Sequence, residues 1–278
     1  MGDIADTILR DPERPLRRMD IFLTRDRQSW VQSIISWCTQ CWWAHPAVTF
    51  VIPSEPEFRH AFVMESAGEG VDVHNADKYF GSADRYDFAI VRPRAEWFSG
   101  TGLDHENLRR KARGRMLEAV DAAYDTSTVL KLFFDLLFRR PHLRTRAKAK
   151  RKKRDAPPTA REMRKMPQEF MCSAFASHSL YQIANELDAQ DNGVRVDDVL
   201  FNPMFDDLDW DKMSPDDRQR IVLSTTPADM AFSDLLEWKW VVIGGKLHKV
   251  DRREEADRIL IETYGSKIPA GHREVQPT

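Results

Sequence analysis

Residues 26 to 42 carry two neighbouring apolar stripes. Trp30, Ile34, Trp37 and Cys41 recur at helical spacing, and so do Val31, Ile35, Cys38 and Trp42. Two adjacent stripes make a wide apolar face, so a helix over 26–42 is predicted to be largely buried against another layer. The stripes run into CWWAHPAVTFVIP, residues 41 to 53. Its second half, AVTFVI at 47–52, has the β-branched and aromatic content of a strand. His45 stands where the helical pattern gives way to the strand.

The same reasoning places strands over 19–24 (MDIFLT), 60–67 (HAFVMESA) and 85–93 (RYDFAIVRP), with a turn-rich connection between the last two. Helices are predicted over 104–124 and 128–138. In the first, Leu108, Ala112, Met116, Ala119, Val120 and Ala123 lie near one face; the second is strongly apolar. The core resumes at 169, where Ala176, Leu180, Ile183, Ala184 and Leu187 form a helical stripe. Pro-Ala-Asp at 227–229 opens a short helix. Residues 238–250 read as a hairpin turning on Gly244-Gly245, and 251–265 as a terminal helix. Strands and helices in this order predict an α+β fold, an antiparallel sheet packed against helices.

At 278 residues, with 42% hydrophobic and 31% charged, the chain can build one large domain or two small ones. Residues 1–18 are a polar arm or short helix, 19–250 the main domain, and 251–278 a C-terminal helix and tail. A net charge of −2 does not suit a chain that coats nucleic acid. The charge is nevertheless uneven. Residues 139–154 hold ten Lys or Arg and no acid, within an insertion spanning 139–166. Residues 189–217 hold nine Asp and two basic residues. The basic run reads as a solvated loop, or as a grip on an anionic partner: a membrane, a nucleic acid or an acidic protein surface. No apolar leader opens the chain and no stretch approaches the roughly 20 apolar residues of a membrane span. The expected location is therefore cytoplasmic as synthesised. A wall-directed enzyme of this kind would be virion-associated or delivered.

Three cysteines, Cys38, Cys41 and Cys172, are too few for a disulfide framework. Cys38 and Cys41 form a C-x-x-C at the end of an apolar helix, which reads as core packing rather than redox chemistry. Zinc would need two further ligands. Asp207, Asp209 and Asp211 have calcium-loop spacing, but Lys212 and Arg218 stand where such a loop needs glycine and glutamate. No metal and no cofactor are expected. His74, His105, His142, His178 and His248 read as structural or exposed.

Three residues stand in an order that suits acyl chemistry: His45 at the mouth of a strand, Glu65 on the next, and Cys172 at the start of a helix. A helix N-terminus favours a thiolate and can receive an oxyanion. An imidazole moves the proton, and a carboxylate behind it fixes its tautomer. The structural alternatives are a buried inert thiol, a satisfied core histidine and a plain surface acid.

The order His, acid, Cys, with Asp20-Ile21 and Thr24 leading into a helix before His45, and Cys172-Ser173 opening another, resembles the circularly permuted papain-like amidases. These are the NlpC-type cysteine peptidases, with lecithin–retinol acyltransferases as more distant relatives. TTPADM at 225–230 is similar to a late segment of that family. Met19 stands where the family has glycine, and Pro46 follows the histidine where a small flexible residue is usual. The resemblance spans most of 19–240 outside the basic insertion. It implies a permuted papain-like fold and a cysteine hydrolase or acyl transferase working through a thioester. Cys172 would be nucleophile, His45 base and Glu65 orienting acid, with His60 as the rival third member because the acyltransferase branch uses a second histidine. The implied substrates are peptidoglycan-type peptides, other amides or acyl-lipids. The rival expectation is a catalytically idle module that binds through the basic insertion.

Overall fold

A computed structural model of the chain describes residues 4–52, 61–68, 70–120, 123–124, 169–170, 172–188 and 213–265. Ile21–Asp26 (β1) lies near the middle of a seven-stranded sheet. His45–Val51 (β2), Phe62–Ala67 (β3) and Gly70–Asn75 (β4) extend it on one side. On the other side come Tyr86–Pro93 (β5), then Leu236–Ile243 (β8) and Lys246–Lys249 (β9). The order is β4-β3-β2-β1-β5-β8-β9, and every neighbouring pair is antiparallel. Ala123–Tyr124 (β6) and Glu169–Phe170 (β7) form a small parallel pair beside β4. The mixed helix and antiparallel-sheet class agrees with the expectation from sequence.

Both faces of the sheet are covered, and successive side chains along the strands alternate between two cores. Phe22, Ala47, Val63 and Phe88 face one core. There they meet Ala5 and Ile8 of Ile4–Arg10 (α1), and Tyr79 and Phe80 of Asp77–Phe80 (α3). Part of the expected N-terminal arm is thus a packed helix. Ile21, Leu23, Val48, Met64 and Ala89 face the other core. Phe98 of Glu96–Ser99 (α4) joins it, as do Ala112 and Met116 of Leu103–Leu117 (α5). Cys172–Asp188 (α6) supplies Phe175, Ala176, Leu180 and Ile183.

Several of the sequence expectations shift: the helix expected over 104–124 ends at Leu117, and Ala123–Tyr124 is a short strand instead. The strand expected at 19–24 starts at Ile21, because Met19 and Asp20 make the turn that leads into it. Met19 has φ 69, in the left-handed region, and is buried. Glycine would fit that backbone without a Cβ penalty. The turn is held by Asp20, whose two oxygens accept from Arg92 Nε at 2.7 Å and Nη2 at 2.8 Å; Arg17 N–H also donates to Asp20 at 2.7 Å. Likewise, the stretch expected to be turns contains β4 and α3. Its residues are too polar and its elements too short to show a period.

The helix expected over 26–42 is Trp30–Thr39 (α2). Ser29 caps its start by accepting from Gln32 N–H, and Gln40 ends it in the left-handed conformation at φ 53. It does not bury its wide apolar face. Trp30 is 73% exposed and Trp37 50% exposed; α2 joins β1 to β2 along the chain, and its described residues belong to neither core. The stretch after it, Cys41 to Ala44, is buried.

Three later expectations find elements in place. Thr226 and Asp229 close a reciprocal capping box on Pro227–Ala231 (α8). Gly244 and Gly245, at φ 57 and 76, form the two-residue hairpin turn between β8 and β9. Arg253–Tyr264 (α9) is the terminal helix. Pro215–Leu223 (α7) packs on α6. The apolar run 128–138, the basic run 139–154, His60, His142 and Asp207, Asp209 and Asp211 lie outside the described residues, as do most of the acidic segment and the Cys38 side chain.

Candidate active site

Antiparallel pairing of β2 with β3 sets the site. Val48 lies opposite Met64, so His45 and Glu65 fall on neighbouring strands with the same pleat parity. Their side chains meet: His45 Nε2 is 2.5 Å from Glu65 Oε2. A carboxylate can only accept, so Nε2 carries the proton and Nδ1 is the nitrogen left for another partner. Cys172 also acts on the imidazole, through its charge and a side-chain hydrogen bond. Cys172 is the first residue of α6, which packs across β2 and β3. All three sequence-chosen residues are therefore together.

Helix α6 is held where it starts. Ser173 Oγ donates to the carbonyl of Thr225 at 2.6 Å, both groups buried. Thr225 leads directly into the capping box of α8. The late TTPADM segment thus anchors the residue next to the thiol. Ser173→Ala leaves the Thr225 carbonyl without this donor, and the expected cost is about 1–3 kcal/mol of stability. Urea unfolding of the variant checks this.

Glu65 is more heavily bound than the sequence suggested. Its side chain is 1% exposed. Tyr79 OH donates to Oε2 at 2.7 Å, and Lys78 Nζ to Oε1 at 2.5 Å. His74 Nε2 stands 3.6 Å from Oε1, which gives this histidine an acidic neighbour. It is brought there by the pairing of β4 with β3. Sequence reasoning missed Lys78, Tyr79 and His74. A four-residue helix has no periodicity to read, and the pairing of β4 is a tertiary matter. Thr24 of the leading motif donates to the His45 carbonyl at 3.1 Å and so secures the start of β2.

Burial alone would lower the proton affinity of His45. The Cys172 sulfur, and then Glu65, outweigh it and raise the imidazole to about 10. For Glu65, burial raises the carboxyl, but the hydrogen bond and charge of His45, with Lys78, hold it well below the usual range. Both shifts tie stability to pH. The His45 contribution is complete below its ordinary 6.5 and fades as pH rises towards about 10. The Glu65 contribution is complete above its ordinary 4.5 and is lost as pH falls below it. Urea midpoints of wild type and His45→Ala should therefore differ most between those two ordinary values and converge towards pH 10.

The other candidates belong to the core. Cys41 is buried, and burial pushes its thiol up to about 12. His178 is buried too, and burial lowers it to about 4; it lies 3.5 Å from Gln182 Nε2. Among the described residues, no group of three or more His, Cys, Asp or Glu side chains could hold a metal ion. None of their helices is long and apolar enough to cross a membrane.

A thiol at a helix start, an imidazole against it and a buried carboxylate behind the imidazole together suit nucleophilic attack on a carbonyl. No family model matches the sequence, and no curated protein matches it.

Proposed function

We propose that this protein is a cysteine-dependent hydrolase or acyl transferase acting on an amide or ester bond. The observation that carries the reading is the chain of contacts from Cys172 through His45 to Glu65, closed by the 2.5 Å bond between the last two. The ordered sequence motifs support a permuted papain-like, NlpC-type fold, and the antiparallel sheet carrying His45 and Glu65, with a helix starting at Cys172, is compatible with it.

The Cys172 thiolate attacks the carbonyl carbon, forming a C–S bond and an oxyanion. The backbone N–H of Cys172, at the start of α6, donates to that oxyanion. His45 gives its proton to the leaving amine or alkoxide as the C–N or C–O bond breaks. A thioester remains. His45 then takes a proton from water, or from an amine or hydroxyl acceptor, which attacks the thioester and releases the thiolate. Glu65 orients His45 throughout. A peptidoglycan-type peptide is the first substrate class, on the resemblance; acyl-lipids and other amides come next.

The idle-module reading has one observation on its side: Cys172 is only 6% exposed. One experiment separates the two. Incubation with activated esters, peptidoglycan fragments and acyl-lipids, followed by peptide mass mapping, should trap an acyl group on the peptide bearing Cys172 and none in Cys172→Ala. No acyl adduct with any of the three classes would leave the idle module as the better account.

A further inference from the structure

Glu65 is buried between two sets of donors. His45 from β2 and Tyr79 from α3 address Oε2; Lys78 from α3 addresses Oε1, with His74 from β4 at 3.6 Å. Among the described residues, these are the charged and titratable groups hydrogen-bonded to it or within ion-pair distance of it. Burying charge in a low-dielectric site is costly unless the charges are paired. In the reactive form, Cys172 is negative, His45 positive and Glu65 negative, which leaves one uncompensated negative charge. Lys78 supplies the missing positive one, and the four charges cancel.

We propose that Lys78 is the counter-charge that lets Cys172 be a thiolate while His45 and Glu65 are both ionised. It is a positioning residue that acts on the thiol through Glu65. This inference rests on the reading of Cys172 as the nucleophile. Without Lys78 the buried cluster sheds its excess charge most easily by returning a proton to sulfur. The Lys78 side chain is 37% exposed, so it reaches the cluster from the surface, and replacing it opens no core cavity. Tyr79 and His45 still hold Glu65 when Lys78 is replaced.

The test is the rate of iodoacetamide labelling of Cys172 against pH in the full chain. The parent for the comparison carries His74→Gln, which takes away the other ring nitrogen near Oε1, and is compared with the same protein bearing Lys78→Gln or Lys78→Arg. Lys78→Gln keeps a donor and loses the charge. Its labelling midpoint should move up by about half to one pH unit, or roughly three- to tenfold slower labelling below the midpoint. Lys78→Arg should keep the midpoint. An unmoved midpoint in Lys78→Gln, or an equal shift in Lys78→Arg, overturns the proposal. So does loss of the folded circular-dichroism signal in both Lys78→Gln and Lys78→Met, which would make Lys78 a structural residue. His45→Ala separates this from the parent reading. If it labels like wild type, the Cys172–His45 pair itself is wrong and the inference falls with it.

Discussion

His45→Ala should slow alkylation of Cys172 by roughly a hundredfold or more at about pH 6, the scale of a lost acid–base partner. The thiolate is the reacting form of a cysteine, and an ordinary free thiol is protonated at that pH. In this protein the imidazole that lies against the sulfur is positively charged over a wide range, because Cys172 and Glu65 outweigh the burial of the ring. Removing it takes away both the neighbouring positive charge and the proton acceptor. Peptide mapping of labelled wild type and His45→Ala at several pH values gives the measurement. Glu65→Gln should lie between them: it keeps a group of the same size behind the ring and loses the charge. Equal rates for wild type and His45→Ala would remove the case for an activated thiol.

Breaking the ion pair at the entrance to β1 should be the most destabilising single change outside the site. Asp20 and Arg92 are both buried and joined by two hydrogen bonds. Arg92 Nη2 also donates to the Pro15 carbonyl at 2.8 Å, so the pair ties the N-terminal segment to β5. Asp20→Ala leaves the guanidinium buried and unpaired, and frees the turn that holds Met19 in the left-handed region. The expected loss is about 3–5 kcal/mol, the usual cost of removing one partner of a buried pair. Replacing both residues with apolar ones should cost less than either single change, since no lone charge is then stranded. Urea or thermal unfolding of Asp20→Ala, Arg92→Ala and a double variant such as Asp20→Leu with Arg92→Met tests both statements. This also assigns the Asp of the leading motif a role in the fold rather than in the chemistry.

The amphipathic helix ahead of His45 shows where pattern reasoning fails. Its stripes are real, and α2 forms with a proper cap at Ser29. Yet stripes say only that a helix has an apolar face. They do not say that a second layer lies against it. In this chain the layers are built by α6 and α5 on one face of the sheet and by α1 and α3 on the other. α2 lies outside both, and Trp30 and Trp37 stay exposed.

By itself, the sequence determined what depends on neighbours in the chain. β-branched runs marked most of the strands, Gly244-Gly245 the hairpin turn, Pro-Ala-Asp at 227–229 the start of a short helix, and the position ahead of an apolar stripe put Cys172 at a helix start. The alternation of strands then made His45 and Glu65 candidates for adjacent places in a sheet. The tertiary structure alone decided what surrounds them. Which strand pairs with β3 is settled by packing and backbone hydrogen bonds between segments distant in sequence. That pairing brought His74 to Glu65, and the docking of α3 on the sheet brought Lys78 and Tyr79. Local propensity acts over a few residues. The charge balance of a buried site is set by every element that closes around it.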